Sequence, residues 1–215
     1  KIFYHKNLFV SITNQRETFI IFDAKNGKPL CNAIVWQCRR GQSICDTISK
    51  SKKKSKYIKN STGLELDTYF PASKLSWLIK NNKNLNAKLK NGSALFGTID
   101  TYLIYRLTKT KSYSTDFTNA SRTLFFDNKK LKWSRKLLEL FMLDLKFLPK
   151  VKESSSIFGK TDFNGILKFN IPISGVIGDS QSSLFANQCF SKGDSKITLG
   201  TGSSILTNIG SKYKV

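Results

Sequence analysis

Apolar residues in this chain fall into short runs broken by polar turns, a pattern that predicts strands first and helices after them. Leu8-Phe9-Val10, leading into Thr13-Asn14-Gln15-Arg16-Glu17, predicts a buried strand that ends in a polar segment. Phe19-Ile20-Ile21-Phe22 predicts a second strand, and the Asn26-Gly27 pair after it is a hairpin signal leading to a third strand over residues 30–36. Cys38, Cys45 and Ile48 among polar neighbours predict a helix over 37–49, and the lysine run after it, Lys50-Ser51-Lys52-Lys53-Lys54-Ser55-Lys56, reads as a solvated loop. Leu75, Leu78 and Ile79 share one face of a predicted helix over 72–80. Leu103, Ile104 and Leu107 do so over 100–107, and Leu137, Leu138, Leu140 and Phe141 over 133–142.

Ile171-Pro172-Ile173-Ser174-Gly175-Val176-Ile177-Gly178-Asp179 reads as an apolar strand ending in a carboxylate, with Ser180 and Ser182 at the start of a helix. Two last strands, 196–199 and 205–207, flank Gly200-Thr201-Gly202-Ser203. Strands and helices interleave, so the predicted class is α/β. The longest apolar runs are four residues, far below the ~20 that a membrane span needs. No secretory signal is visible at Lys1-Ile2-Phe3, and a start on Lys rather than Met hints at a longer parent chain.

Composition changes this picture in one respect. With 215 residues, 40% of them hydrophobic and 12% aromatic, the chain can bury a real core. Lys and Arg total 36 against 14 Asp and Glu, a formal net charge of +22, which is the footprint of a nucleic-acid binder. The make-up of that charge argues otherwise. Only Arg16, Arg39, Arg40, Arg106, Arg122 and Arg135 carry the guanidinium that phosphate recognition favours, and the lysines are spread from end to end. The surplus therefore reads as compositional drift at tolerant surface positions, and no nucleic-acid partner is expected. Cys31, Cys38, Cys45 and Cys189 have no metal-site or redox spacing and read as reduced thiols of a cytosolic protein. His5, the single histidine, reads as a surface residue.

Four features carry possible chemistry. The Gly200-Thr201-Gly202 turn could bring backbone N–H groups and a hydroxyl close to a phosphate, or could be a plain hairpin. Asp179, at the carboxyl end of an apolar strand, stands where open α/β sheets place ligand-facing groups, and could act as a general base or only cap a helix. Arg16-Glu17 offers donors and acceptors to a polyol, or forms a surface ion pair of little weight. Trp36 and Tyr69 could each present a ring face to the C–H side of a small substrate, or belong to the core.

In their order along the chain, seven stretches resemble the glycerol kinase branch of the FGGY carbohydrate kinases. They are Thr13-Asn14-Gln15-Arg16-Glu17-Thr18, Asn32-Ala33-Ile34-Val35-Trp36-Gln37-Cys38-Arg39-Arg40, Thr62-Gly63-Leu64 with Asp67-Thr68-Tyr69-Phe70, and Phe96-Gly97-Thr98-Ile99-Asp100-Thr101. Thr115-Asp116-Phe117-Thr118-Asn119-Ala120-Ser121-Arg122-Thr123, Ile171-Pro172-Ile173-Ser174-Gly175 and Gly178-Asp179 complete the set. The resemblance implies the two-domain, actin-like ATPase (ribonuclease H-like) architecture, with residues 1–188 in the first domain and 189–215 opening the second. It implies ATP-dependent phosphorylation of glycerol to sn-glycerol 3-phosphate, with Mg2+, in a cytoplasmic enzyme that is a homo-oligomer when intact.

Carried over residue by residue, the resemblance places Arg16, Glu17, Trp36, Tyr69, Asp179 and Ser180 at the glycerol, with Asp179 as base. Gly200, Thr201 and Gly202 fall at the nucleotide phosphate. The chain departs from the family pattern in reading Gly178-Asp179-Ser180-Gln181 and Gly200-Thr201-Gly202-Ser203-Ser204, where an amide and an apolar wall are usual. Those changes make a larger polyol or a ketose the rival substrate, since one missing wall is worth only ~1–3 kcal/mol of discrimination. The family's opening Asp-x-Gly-Thr-x-Ser loop is not in the 215 residues, so the chain alone is expected to be inactive, and a non-catalytic remnant is a further alternative.

Overall fold

The computed structural model describes residues 8–200, 203–211 and 213. In chain order its first elements are β1 (Val10–Asn14), β2 (Phe19–Asp23), α1 (Gln42–Ser49), α2 (Lys52–Thr62), α3 (Pro71–Asn81), α4 (Lys83–Asn91), β3 (Ala94–Thr98) and α5 (Ile99–Leu107). There follow β4 (Ser114–Asp116), α6 (Phe117–Ala120), β5 (Phe126–Asp127), β6 (Lys132–Trp133), α7 (Arg135–Leu140), β7 (Lys150–Lys152) and β8 (Gly159–Thr161). The last are β9 (Ile171–Gly178), α8 (Asp179–Ala186), β10 (Ser195–Thr198) and β11 (Ser204–Thr207).

The pairing that matters for function is the parallel one between β1 and β9, whose register brings Asn14 opposite Gly178. Both strands therefore end at the same place, and the segments that follow them, Arg16-Glu17 and Asp179-Ser180, leave side by side. β8 runs antiparallel on the other edge of β9. Ile12, Ile173, Val176, Phe158 and Ile104 bury the α5 face of this sheet. A larger core joins β2 and β3 to α1–α4 and α7, with Phe96 packed at ring-centroid distances of 5.4 Å against Phe19, tilted, and against Phe125, edge-on.

Five local expectations need correction. Val10 begins the first strand, and Leu8 and Phe9 lie exposed ahead of it. The segment after Gly27 touches β2 only through the bridges Phe22↔Pro29 and Phe19↔Ile34, because the edge of β2 is taken by β3 in a continuous antiparallel ladder from Phe19↔Thr98 to Asp23↔Ala94. The first helix is shorter than expected and starts at Gln42, after a turn. The lysine run is mostly helix, not loop. The Ser51 hydroxyl caps α2 by accepting from Lys54 N, Ile58 anchors it in the core, and Gly63 ends it at φ +71°, a left-handed cap that glycine adopts without strain. Helix α4 and strand β3 have no counterpart among the predicted elements. At β9 the helix begins on Asp179 itself, so Ser180 and Ser182 lie inside α8 and no side chain caps it.

Asp100, in the first turn of α5, is completely buried. Thr115 Oγ1 donates to its Oδ2 at 2.6 Å, while Oδ1 has no hydrogen-bond partner. Burial pushes this carboxyl up to about 6, with the Thr115 bond opposing. The folded state thus holds the proton more tightly than the unfolded chain, so Asp100's contribution to stability is full below pH ~4 and is lost as pH rises through about 6. Relative to Asp100→Asn, the unmodified chain is expected to lose about 2–3 kcal/mol of unfolding free energy between pH 4 and pH 7. Urea denaturation of both proteins at the two pH values measures this, and a difference that does not change with pH would contradict it.

Candidate polyol site at the ends of two parallel strands

Arg16 and Glu17 are not a surface pair. They are 8% and 3% exposed, set in the short link between β1 and β2. Glu17 Oε1 accepts from Arg122 Nε at 2.6 Å and lies 3.9 Å from Arg16 Nη2, so one buried carboxylate faces two guanidiniums. Arg16 turns its other side to the end of β9, where its Nε is 3.6 Å from Asp179 Oδ1 and its Nη2 donates to Ser180 Oγ at 3.1 Å. Burial and the neighbouring Arg122 lower the pKa of Arg16, and Glu17 and Asp179 pull it back up. Arg16 Nε is buried without a hydrogen-bond partner of its own. An added Cβ at Gly178 would lie 2.2 Å from Arg16 Cδ. Only glycine there lets the arginine cross the strand end to reach Asp179.

Beneath the site, buried Asp116 ties the two strand ends to one point. Its oxygens accept from Thr118 N and Oγ1, Asn119 N and Nδ2, and Ser154 Oγ. Thr118 Oγ1 accepts in turn from Gly178 N at 2.7 Å, and Asn119 Oδ1 accepts from Asn14 Nδ2 at 2.9 Å. The last residue of β1 and the last of β9 are thereby held by one saturated polar network, the arrangement under which each member gains most.

Above the ion array stand two rings. Trp36 and Tyr69 have centroids 5.5 Å apart at 52°, and each keeps more than a third of its surface exposed, unlike the rings of the core. Arg122 stacks over Phe70 at 4.9 Å and reaches Tyr69 at 6.0 Å, joining the aromatic wall to Glu17. Burial raises the Tyr69 hydroxyl's pKa, with Glu17 adding to it. An open cavity of about 680 Å³ is lined by Arg16, Trp36, Tyr69, Arg122, Ser180 and Gln181, with Ser203 and Ser204 on its far side. Such an array of fixed donors, one buried acceptor and two ring faces suits a molecule with several hydroxyls on a short carbon chain.

Of the residues singled out from sequence, Arg16, Glu17, Trp36, Tyr69, Asp179 and Ser180 come together here. Arg16, Trp36, Tyr69 and Ser180 line the cavity itself, while Glu17 and Asp179 flank it through Arg16, Asp179 with its side chain about half exposed. Gly200 is exposed in the link between β10 and β11, while Thr201 and Gly202 lie outside the described residues. Sequence reasoning missed Arg122, Lys74, Gln37 and Gln181. Arg122 had a signal, being one of six arginines in a lysine-rich chain. Lys74 had another, as a lysine on the apolar face of α3. Among the described residues no group of three or more His, Cys, Asp or Glu could hold a metal ion. Mg2+ needs no such cluster where nucleotide phosphates supply its oxygens, and the half-exposed Asp179 beside Arg16 is the site's carboxylate with an oxygen to offer it. Also among the described residues, no helix is long and apolar enough to cross a membrane, and the cysteines form no disulfide.

Residues 3–186 match the N-terminal domain of the FGGY family of carbohydrate kinases. A protein named glycerol kinase from Fusobacterium nucleatum is 46% identical over 209 residues, covering 97% of this chain and 42% of its own length. Glycerol kinase 1 of Thermotoga maritima is 48% identical over 206 residues, again with 42% of its own length covered. The chain thus spans less than half of these curated relatives. Among solved structures, a Plasmodium falciparum glycerol kinase determined with ADP superposes with a TM-score of 0.85 at 41% identity, over 93% of this chain and 40% of that one. A gluconate kinase from Lactobacillus acidophilus superposes at 0.79 with 22% identity, a likeness of fold alone.

Proposed function

We propose, because this chain belongs to the FGGY family of carbohydrate kinases, that it forms the polyol-binding part of an ATP-dependent kinase, and that the polyol is glycerol. One observation carries the reading. A buried Arg16–Glu17–Arg122 array lies under the Trp36/Tyr69 pair, with Asp179 on the free side of Arg16. Arg16 donates to glycerol hydroxyls and Glu17 accepts from one. The two rings pack on the carbon side of the molecule. Asp179 takes the proton of the attacking hydroxyl as that oxygen bonds to the γ-phosphorus of ATP, the bond to the bridging oxygen breaks, and ADP leaves. Residues 200–202 approach the nucleotide phosphates, and residues 189–215 open the second domain.

The two relatives named glycerol kinase support glycerol over other substrates. Ser180, Ser203 and Ser204 on a cavity of about 680 Å³ leave room for a longer polyol. A substrate panel decides. Glycerol, four- and five-carbon polyols, ketoses and gluconate are given with ATP to the full-length protein that carries this chain, and kcat/KM is compared. Glycerol is expected to lead. A ketose or gluconate ahead of glycerol would overturn the substrate, and no phosphoryl transfer to any of them would overturn the reading. The chain alone, with no Asp-x-Gly-Thr-x-Ser run, is expected to bind polyol without turning it over.

A further inference from the structure

Lys74 is a lysine with no exposed surface, at the end of the first turn of α3, next to buried Leu75 and one turn before buried Leu78. An ammonium has three donors and no acceptor, and burying one is tolerated only when those donors are used. Lys74 Nζ lies 2.9 Å from Tyr69 O, 3.1 Å from Val35 O and 3.5 Å from Trp36 O. The acceptors come from two segments that α1 and α2 separate in sequence, and each segment carries one of the two exposed rings. Gly41 brings the first of them hard against α3, since a Cβ there would lie 2.6 Å from the carbonyl carbon of Ser73 and 2.8 Å from Lys74 N. The backbone contact at Gly41 and the ammonium contacts at Val35 and Trp36 thus seat the Trp36 segment on one helix turn.

We propose that Lys74 is a positioning residue that sets how the touching Trp36 and Tyr69 rings sit against one another, and so the shape of the aromatic wall of the polyol cleft. It touches no substrate. It acts by holding two backbone segments on one charged atom. A neutral amine has only two N–H donors and turns a lone pair toward one of the three carbonyls. Loss of the proton therefore releases a segment and lets the rings part. Burial lowers this ammonium's pKa to about 8, with Cys38, Glu17 and Asp67 facing it and holding the proton on. Arg40 Nε donates to Cys38 Sγ at 2.9 Å, so that thiol is itself tied to a cation on the same turn. The clamp is closed below pH ~8 and opens above it.

The inference rests on the polyol reading for its consequence but not for its geometry, and the test separates the two. The chain labelled with 5-fluorotryptophan gives one 19F signal for each of Trp36, Trp77 and Trp133, the first assigned by Trp36→Phe. Without ligand, the Trp36 signal is expected to shift between pH 7 and pH 9.5 in the unmodified chain and in Cys38→Ser, and to stay still in Lys74→Met. With glycerol titrated in, Lys74→Met is expected to weaken binding at least ~10-fold, and raising the pH over the same range is expected to weaken the unmodified chain comparably. A Trp36 signal insensitive to pH, or one whose shift disappears in Cys38→Ser, overturns the proposal. So does a folded Lys74→Met that binds glycerol within ~2-fold of the parent. Should Lys74→Met not fold, the pH response of the unmodified chain and of Cys38→Ser decides alone. If glycerol binds none of these proteins while Trp36 still shifts, the polyol reading fails and the clamp stands.

Discussion

Under the proposed function, Asp179→Asn is expected to lower kcat for glycerol phosphorylation by ~10²–10⁴-fold in a full-length protein carrying this chain, with the glycerol KM within ~3-fold of the parent. Asparagine keeps the size of the side chain and most of its contacts, but its amide cannot take a proton from the attacking hydroxyl. The ion pair it gives up, 3.6 Å from Arg16 Nε, involves a carboxylate that is about half exposed, so its loss removes at most about 1 kcal/mol of support for the arginine. Binding should therefore survive while chemistry fails. Steady-state kinetics with glycerol varied at saturating ATP measures both quantities. If KM rises as steeply as kcat falls, Asp179 holds the substrate and is not its base.

Glu17→Gln is expected to destabilise the fold by about 3 kcal/mol, the lower part of the range for breaking a buried pair. Glu17 is the carboxylate facing both Arg16 and Arg122, and its side chain is 4% exposed. Neutralising it leaves two guanidiniums near one another, with Asp179 on the far side of Arg16 as the remaining counter-charge there. The cost falls short of the extreme because Arg122 is partly exposed and can turn toward water. A second variant tests this cause. Glu17→Gln with Arg122→Gln removes one of the two repelling cations and should recover more than half of the loss. Urea denaturation of the chain provides the values. A single variant within ~0.5 kcal/mol of the parent would mean that the array contributes little to the fold.

The residues of the site were easier to read from the sequence than the path that assembles them. Arg16-Glu17 and Asp179 were legible because each follows an apolar strand, and parallel strands deliver their ends to one side of a sheet. That β1 and β9 are neighbours could not be read locally, since 163 residues lie between Asn14 and Gly178 and only the pairing register joins them. The same blindness produced the false third strand. Residues 30–36 have strand-like composition, but β3, some sixty residues further on, takes the edge of β2.

The lysine-rich helix was hidden for the opposite reason. Charge dominates its composition, and what makes it a helix is two capping residues and one buried isoleucine. Lys74 and Arg122 were passed over because a lysine or arginine in a basic chain looks like one more surface charge. Burial makes Lys74 different, and the Glu17 pair and the stack on Phe70 make Arg122 so, none of which the sequence displays. The same contrast bears on the net charge of +22, most of which comes from lysines spread along the chain, while the arginines at the site are buried or stacked on rings.

Where a small polyol sits is tested directly by a crystal structure of this chain grown with glycerol at low millimolar concentration. The predicted result is density for glycerol with its carbon side against the Trp36 and Tyr69 rings, hydroxyls on Arg16 and Glu17 and one oxygen turned toward Asp179. The contradicting result is an empty cleft under the same conditions with glycerol bound elsewhere, for example in the separate cavity between Trp133 and Met142.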